Sequence, residues 1–70
     1  MKPWEERFVT EYNQLKERRK KLGDMLEEWQ LGRLSFKPKC SYELLWKQYC
    51  IMGDYMGVLI ERAGIEGIEI

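Results

Sequence analysis

Lys16, Arg18, Arg19, Lys20 and Lys21 crowd five positive charges into six consecutive positions, with Glu17 the one acid among them. A basic run of this kind either gathers a small anion at a local patch or forms the solvated face of a helix. Aromatic side chains are spread around it: Trp4, Phe8, Tyr12, Trp29, Trp46, Tyr49 and Tyr55. Ring faces beside Arg and Lys are what a nucleobase carrying phosphates requires, stacking for the base and donors for the anion. Trp4, Phe8, Trp29 and Trp46 are expected in a core, whereas Tyr12 and Tyr55 sit near the polar borders of their stripes.

Catalytic chemistry has little to work with. The chain contains no His to act as a general base, and no glycine-rich loop opens a helix after a strand. Cys40 and Cys50 therefore lack an imidazole partner. Two cysteines alone make a poor zinc site, so neither a metal nor a cofactor is expected. No signal-like apolar run stands at the start, so both are read as free thiols used for packing in a reducing cytoplasm. No apolar stretch approaches the ~20 residues of a membrane span. Twelve basic residues balance twelve acidic ones, which disfavours duplex DNA as a partner.

The elements that must position these residues are helical. Pro3 suits a first helical turn, and Glu5 and Glu6 follow at the positive end of its dipole. Phe8, Leu15, Leu22 and Trp29 then repeat every seven residues, with Tyr12, Arg19 and Leu26 interleaved. That seam predicts a helix over about 3–31, with Gly32 just past its end. Gly23 costs the helix ~1 kcal/mol relative to Ala and marks where a bend would fall. Arg19 lies on the apolar stripe, so it must either snorkel outward or meet an anion.

A connection over 32–41 contains Pro38, and Leu34 and Phe36 are expected to tuck back onto the core. Ser41 reads as the N-cap of a second helix over about 42–63, with Gly64 as its stop and a short tail over 64–70. In that helix Leu45, Met52 and Leu59 form one stripe, and Leu44, Ile51 and Val58 form another beside it. Gln48, Tyr55 and Arg62 recur along the flank. A helix apolar over so broad an arc needs partners on more than one side. With only 70 residues available, those partners must be other copies or a ligand. Gly53 and Gly57, one turn apart, suggest close approach of a backbone or a ligand. The fold class is all-α: one domain over 1–70, an antiparallel two-helix hairpin assembling into a helical homo-oligomer.

Two motifs carry a resemblance over about residues 4 to 63. The first helix reads Arg7-Phe8-Val9-x-Glu11, then Leu15, Arg18, Lys21-Leu22 and Met25. The second reads Leu44-Leu45-x-x-Gln48, then Met52, Tyr55, Val58-Leu59 and Arg62. Together they resemble the small phage helical-hairpin family that includes the anti-CBASS cyclic-nucleotide sponges and the hairpin of the related anti-Thoeris sponges. The resemblance implies a phage protein in the host bacterial cytoplasm that binds nucleotide immune messengers, cyclic di- or trinucleotides, without degrading them. It implies a compact homo-oligomer, typically a hexamer, with cyclic dinucleotides held between paired N-terminal helices. Carried onto matching positions, Tyr12 is the stacking residue and Lys21 the phosphate ligand, assisted by Arg18 or Arg19. Arg62, at the end of the Gln48/Tyr55 ladder, would line a second site. Two other readings of the residues stand beside this one: a helical protein-interaction module docking through its apolar face, and a small nucleic-acid-binding accessory protein using residues 16–21.

Overall fold

The computed structural model describes residues 2–70. Helix α1 spans Pro3–Gln30 and helix α2 spans Tyr42–Glu66, and no strand occurs among the described residues. The helices pack antiparallel, since Phe8 meets Arg62, Arg19 meets Tyr49 and Trp29 meets Tyr42. The particle measures 44 × 18 × 17 Å. Its long axis is set by α1, because 28 residues at ~1.5 Å each make a rod of ~42 Å.

Both helices begin and end for local reasons. At the start of α1, the Lys2 backbone N–H donates to the Glu5 carboxylate at 2.9 Å, which satisfies a donor the helix leaves open. At its end, Gly32 adopts φ 71°, and the N–H groups of Gly32 and Arg33 return to the carbonyls of Trp29 and Glu28. That is a Schellman ending, and the Arg33 guanidinium closes it further on the Glu28 carboxylate at 2.9 Å. The hydrogen bond and charge of Glu28 hold the Arg33 guanidinium above its ordinary pKa. Ser41 caps α2 as its residue type suggests, its hydroxyl accepting from the Leu44 N–H at 3.1 Å.

The far end of α2 departs from the sequence expectation. The helix runs through Gly64 to Glu66 and stops at Gly67, whose φ is 70°. Gly64 is exposed and keeps helical geometry. The stop is decided one turn later, where the Gly67 and Ile68 N–H groups both reach the Ala63 carbonyl. The reason is apolar: Ile68 is folded back into a buried cluster with Phe8, Leu59 and Ala63, joined by half-buried Val9, Tyr12 and Leu15. Leu26 is buried nearer the connection. In that connection Leu34 is partly covered, but Phe36 stays 57% exposed rather than tucking onto the core.

Candidate functional site

Between the two buried regions, the interface is built from a cation and an aromatic ring. Arg19 projects from α1 across α2, donates from Nε to the Tyr49 carbonyl at 3.1 Å, and lays its guanidinium 3.9 Å from the centre of the Tyr49 ring. Two glycines on opposite helices make this approach available. A Cβ at Gly53 would stand 2.8 Å from an Arg19 Nη, and one at Gly23 would stand 2.9 Å from the Tyr49 ring. Each helix thus leaves a notch for the bulky residue of the other. The charge on the α1 stripe neither extends free into solvent nor meets a carboxylate. It is satisfied by a backbone carbonyl and a π face. No acid pairs with Arg19 among the described residues.

Tyr49 is also the last ring of an aromatic ladder. Trp29 meets Tyr42 edge-on at 5.5 Å, Tyr42 stacks on Trp46 at 6.5 Å, and Trp46 stacks on Tyr49 at 5.4 Å. Residues 42, 46 and 49 follow helical spacing, so α2 places them on one face. They border an open groove of about 280 Å³ whose other wall carries Lys20, Asp24 and Gln30 of α1. Trp46 remains 48% exposed there. The sequence reading assigns Trp46 to a core. The helical spacing of 42, 46 and 49 was the available signal that these rings share a face, although spacing alone does not reveal that the face is half open.

The sequence-derived candidates do not converge on one patch. Tyr12 and Arg19 are seven residues apart, about two turns, and share the α1 face that meets α2. Tyr12 is half-buried against the apolar cluster. Lys21 lies nine residues after Tyr12, about two and a half turns, which turns it to the opposite side of α1. It is exposed and pairs with Glu17 at 3.2 Å. Arg18 is exposed one turn from Lys21. On α2, the Tyr55 hydroxyl donates to the Glu11 carboxylate, Arg62 covers the Phe8 ring at 4.9 Å, and Gln48 lines an exposed apolar surface with Leu44 and Ile51. Trp4 is more exposed than a core residue, whereas Phe8 is buried as expected.

The open side of the Trp46 ladder sets aromatic faces beside a cation, groups suited to binding. The described residues contain no grouping of three or more His, Cys, Asp or Glu fit to hold a metal ion, and no helix is long and apolar enough to cross a membrane. The family model for Sequestin matches residues 2–65, nearly the full length, and the chain belongs to that family. No curated protein and no solved structure matches it. Membership agrees with the resemblance carried by the two helical motifs, and the family name fits sequestration of a signalling molecule rather than its chemical conversion.

Proposed function

We propose that this protein is a phage anti-defence sponge. It captures cyclic nucleotide immune messengers, cyclic di- or trinucleotides, in the host cytoplasm and holds them intact. The observation that carries the reading is the open side of the aromatic ladder, where Trp46 stays 48% exposed in a groove shared with Lys20, a ring face and a cation that the hairpin's own packing leaves uncovered. Family membership supports the sequestering mode. Tyr12 stacks on a base, and Lys21 with Arg18 or Arg19 takes the phosphates. Because Tyr12 and Lys21 point from opposite sides of α1, a ligand touching both must lie between two copies of the chain. Gln48, Tyr55 and Arg62 lie where copies meet. The assembly is a homo-oligomer, six copies by the resemblance.

Calorimetry of the assembled protein against cyclic di- and trinucleotides and cyclic ADP-ribose isomers tests this. Saturable heat with at least one of them is expected, with the ligand recovered unchanged. No heat with any member of the panel would overturn the reading. The exposed Leu44/Ile51 surface favours a second reading, a protein-interaction module. That reading gains only if the correctly assembled protein ignores every nucleotide.

A further inference from the structure

The groove beside Trp46 carries hydrogen-bonding groups that the hairpin's own packing leaves unused. Gly23 faces Tyr49 and Trp29 meets Tyr42, so Trp46 stands between those levels, across from Asp24 and Glu27 of α1. Asp24 and Glu27 are three residues apart and share one side of that helix. Both are exposed, and both line the groove that Trp46 borders. The Asp24 Oδ2 accepts from the Lys20 ammonium at 3.0 Å. Its other oxygen and the whole Glu27 carboxylate have no hydrogen-bond donor among the described residues. Lys16, one turn before Lys20, forms no ion pair among the described residues. The α1 wall is thus acidic beside the indole and basic toward Lys20 and Lys16.

We infer that this groove seats a nucleobase by an edge that carries an exocyclic amino group, and that Asp24 and Glu27 make the choice. The open groove gives a flat ring access to the exposed indole of Trp46. Stacking of that kind accepts every base, because every base has a π face. Selection among bases therefore falls to the edge. A carboxylate only accepts hydrogen bonds, so it suits the amino N–H donors of adenine, guanine or cytosine. It repels the carbonyl oxygen that hypoxanthine and uracil carry where adenine and cytosine have the amino group. The same two carboxylates keep a phosphate away from the indole. The phosphate of a nucleotide lies instead toward Lys20 and Lys16, which orients the ligand along α1.

This base subsite rests on the nucleotide reading and is separate from Tyr12. Nucleoside monophosphates test it on the full chain without a cyclic messenger. The chain has three tryptophans, so three indole N–H resonances report where a base lies, and Trp46→Phe identifies the signal of interest. Adenosine, guanosine or cytidine monophosphate is expected to shift the Trp46 signal saturably. The tightest of them should bind at least about tenfold more tightly than inosine or uridine monophosphate. Asp24→Asn with Glu27→Gln keeps side-chain size and helical circular dichroism but offers N–H donors beside the oxygen, so the preference disappears. Lys16→Gln weakens binding of the monophosphate and leaves binding of its nucleoside unchanged. Three results would each overturn the inference: no saturable Trp46 shift with any of these nucleotides, inosine or uridine monophosphate binding as tightly as the rest, or a preference that survives the paired amide substitutions. Equal effects of Lys16→Gln on nucleoside and monophosphate would overturn the orientation. Calorimetry with cyclic nucleotides is a separate measurement. Base selection at Trp46 without heat there counts against the sponge reading alone, and heat there without a Trp46 shift counts against the groove alone.

Discussion

A methyl group at Gly57 meets no atom within 4 Å, whereas one at Gly23 lands 2.9 Å from the Tyr49 ring. Both residues lie inside helices, so Ala should gain ~1 kcal/mol of helix propensity at either. At Gly57 nothing opposes the gain, and Gly57→Ala is expected to stabilise the chain by about 0.5–1 kcal/mol. At Gly23 the ring must move, because Tyr49 is held by Trp46 on one side and Arg19 on the other. Overpacking typically costs ~1–3 kcal/mol, so Gly23→Ala should come out neutral to destabilising despite its better propensity. Urea unfolding of both variants at one protein concentration checks the contrast. A stabilised Gly23→Ala would show that the Tyr49 notch is not needed. Gly53 lies between these cases. Its neighbour is the far end of a flexible Arg19 side chain, which can retreat, but only by leaving the Tyr49 ring.

At the scale of the helix, the ends of α2 are held by different devices. Ser41 contributes one side-chain hydrogen bond, so Ser41→Ala should cost ~1 kcal/mol. The other end depends on a left-handed glycine and a buried isoleucine together. Ile68→Ala removes the apolar anchor and should cost ~2–5 kcal/mol, while Gly64→Ala, facing open space in helical backbone, should not destabilise. Equilibrium unfolding that ranks Ile68→Ala below Ser41→Ala in stability supports this account of the α2 end. The reverse order would place the end of α2 outside the core. These ends also show what the residues disclose in advance. Ser41 and Gly32 are legible because a cap is a local event, decided by one side chain or one φ. Gly64 misleads because a glycine within a turn of the end resembles a stop, and only the distant Phe8–Ile68 contact carries the helix past it. The heptads around Phe8 and Leu59 disclose two helices. Which of two adjacent stripes on α2 faces α1 is a three-dimensional choice, as is the uncovered side of the Trp46 ladder.

Across the whole molecule, the hairpin presents two unlike flanks on either side of its buried interface. One carries Arg19, Tyr49 and the exposed Trp46, and the other carries Leu44, Ile51 and Val58. Tyr12 belongs to neither flank, being half-buried against the apolar cluster, and Lys21 stands exposed on the far side of α1, which makes their placement decisive. If one ligand touches both residues, they come from different copies, because a single α1 turns them apart by about half a revolution. Tyr12→Ala and Lys21→Ala, each assembled alone, should then bind nucleotide weakly while keeping the native oligomer size. Mixed by co-refolding, they should recover binding. In a twofold pair with one subunit of each kind, one of the two sites unites the intact Tyr12 of one copy with the intact Lys21 of the other. Random pairing puts the recovered capacity at about a quarter of the native sites. The stoichiometry from calorimetry measures that fraction directly, and the recovered sites should have native affinity, since nothing at them has changed. Recovery of no sites from demonstrably mixed oligomers would mean that Tyr12 and Lys21 never act on one ligand across a contact between copies.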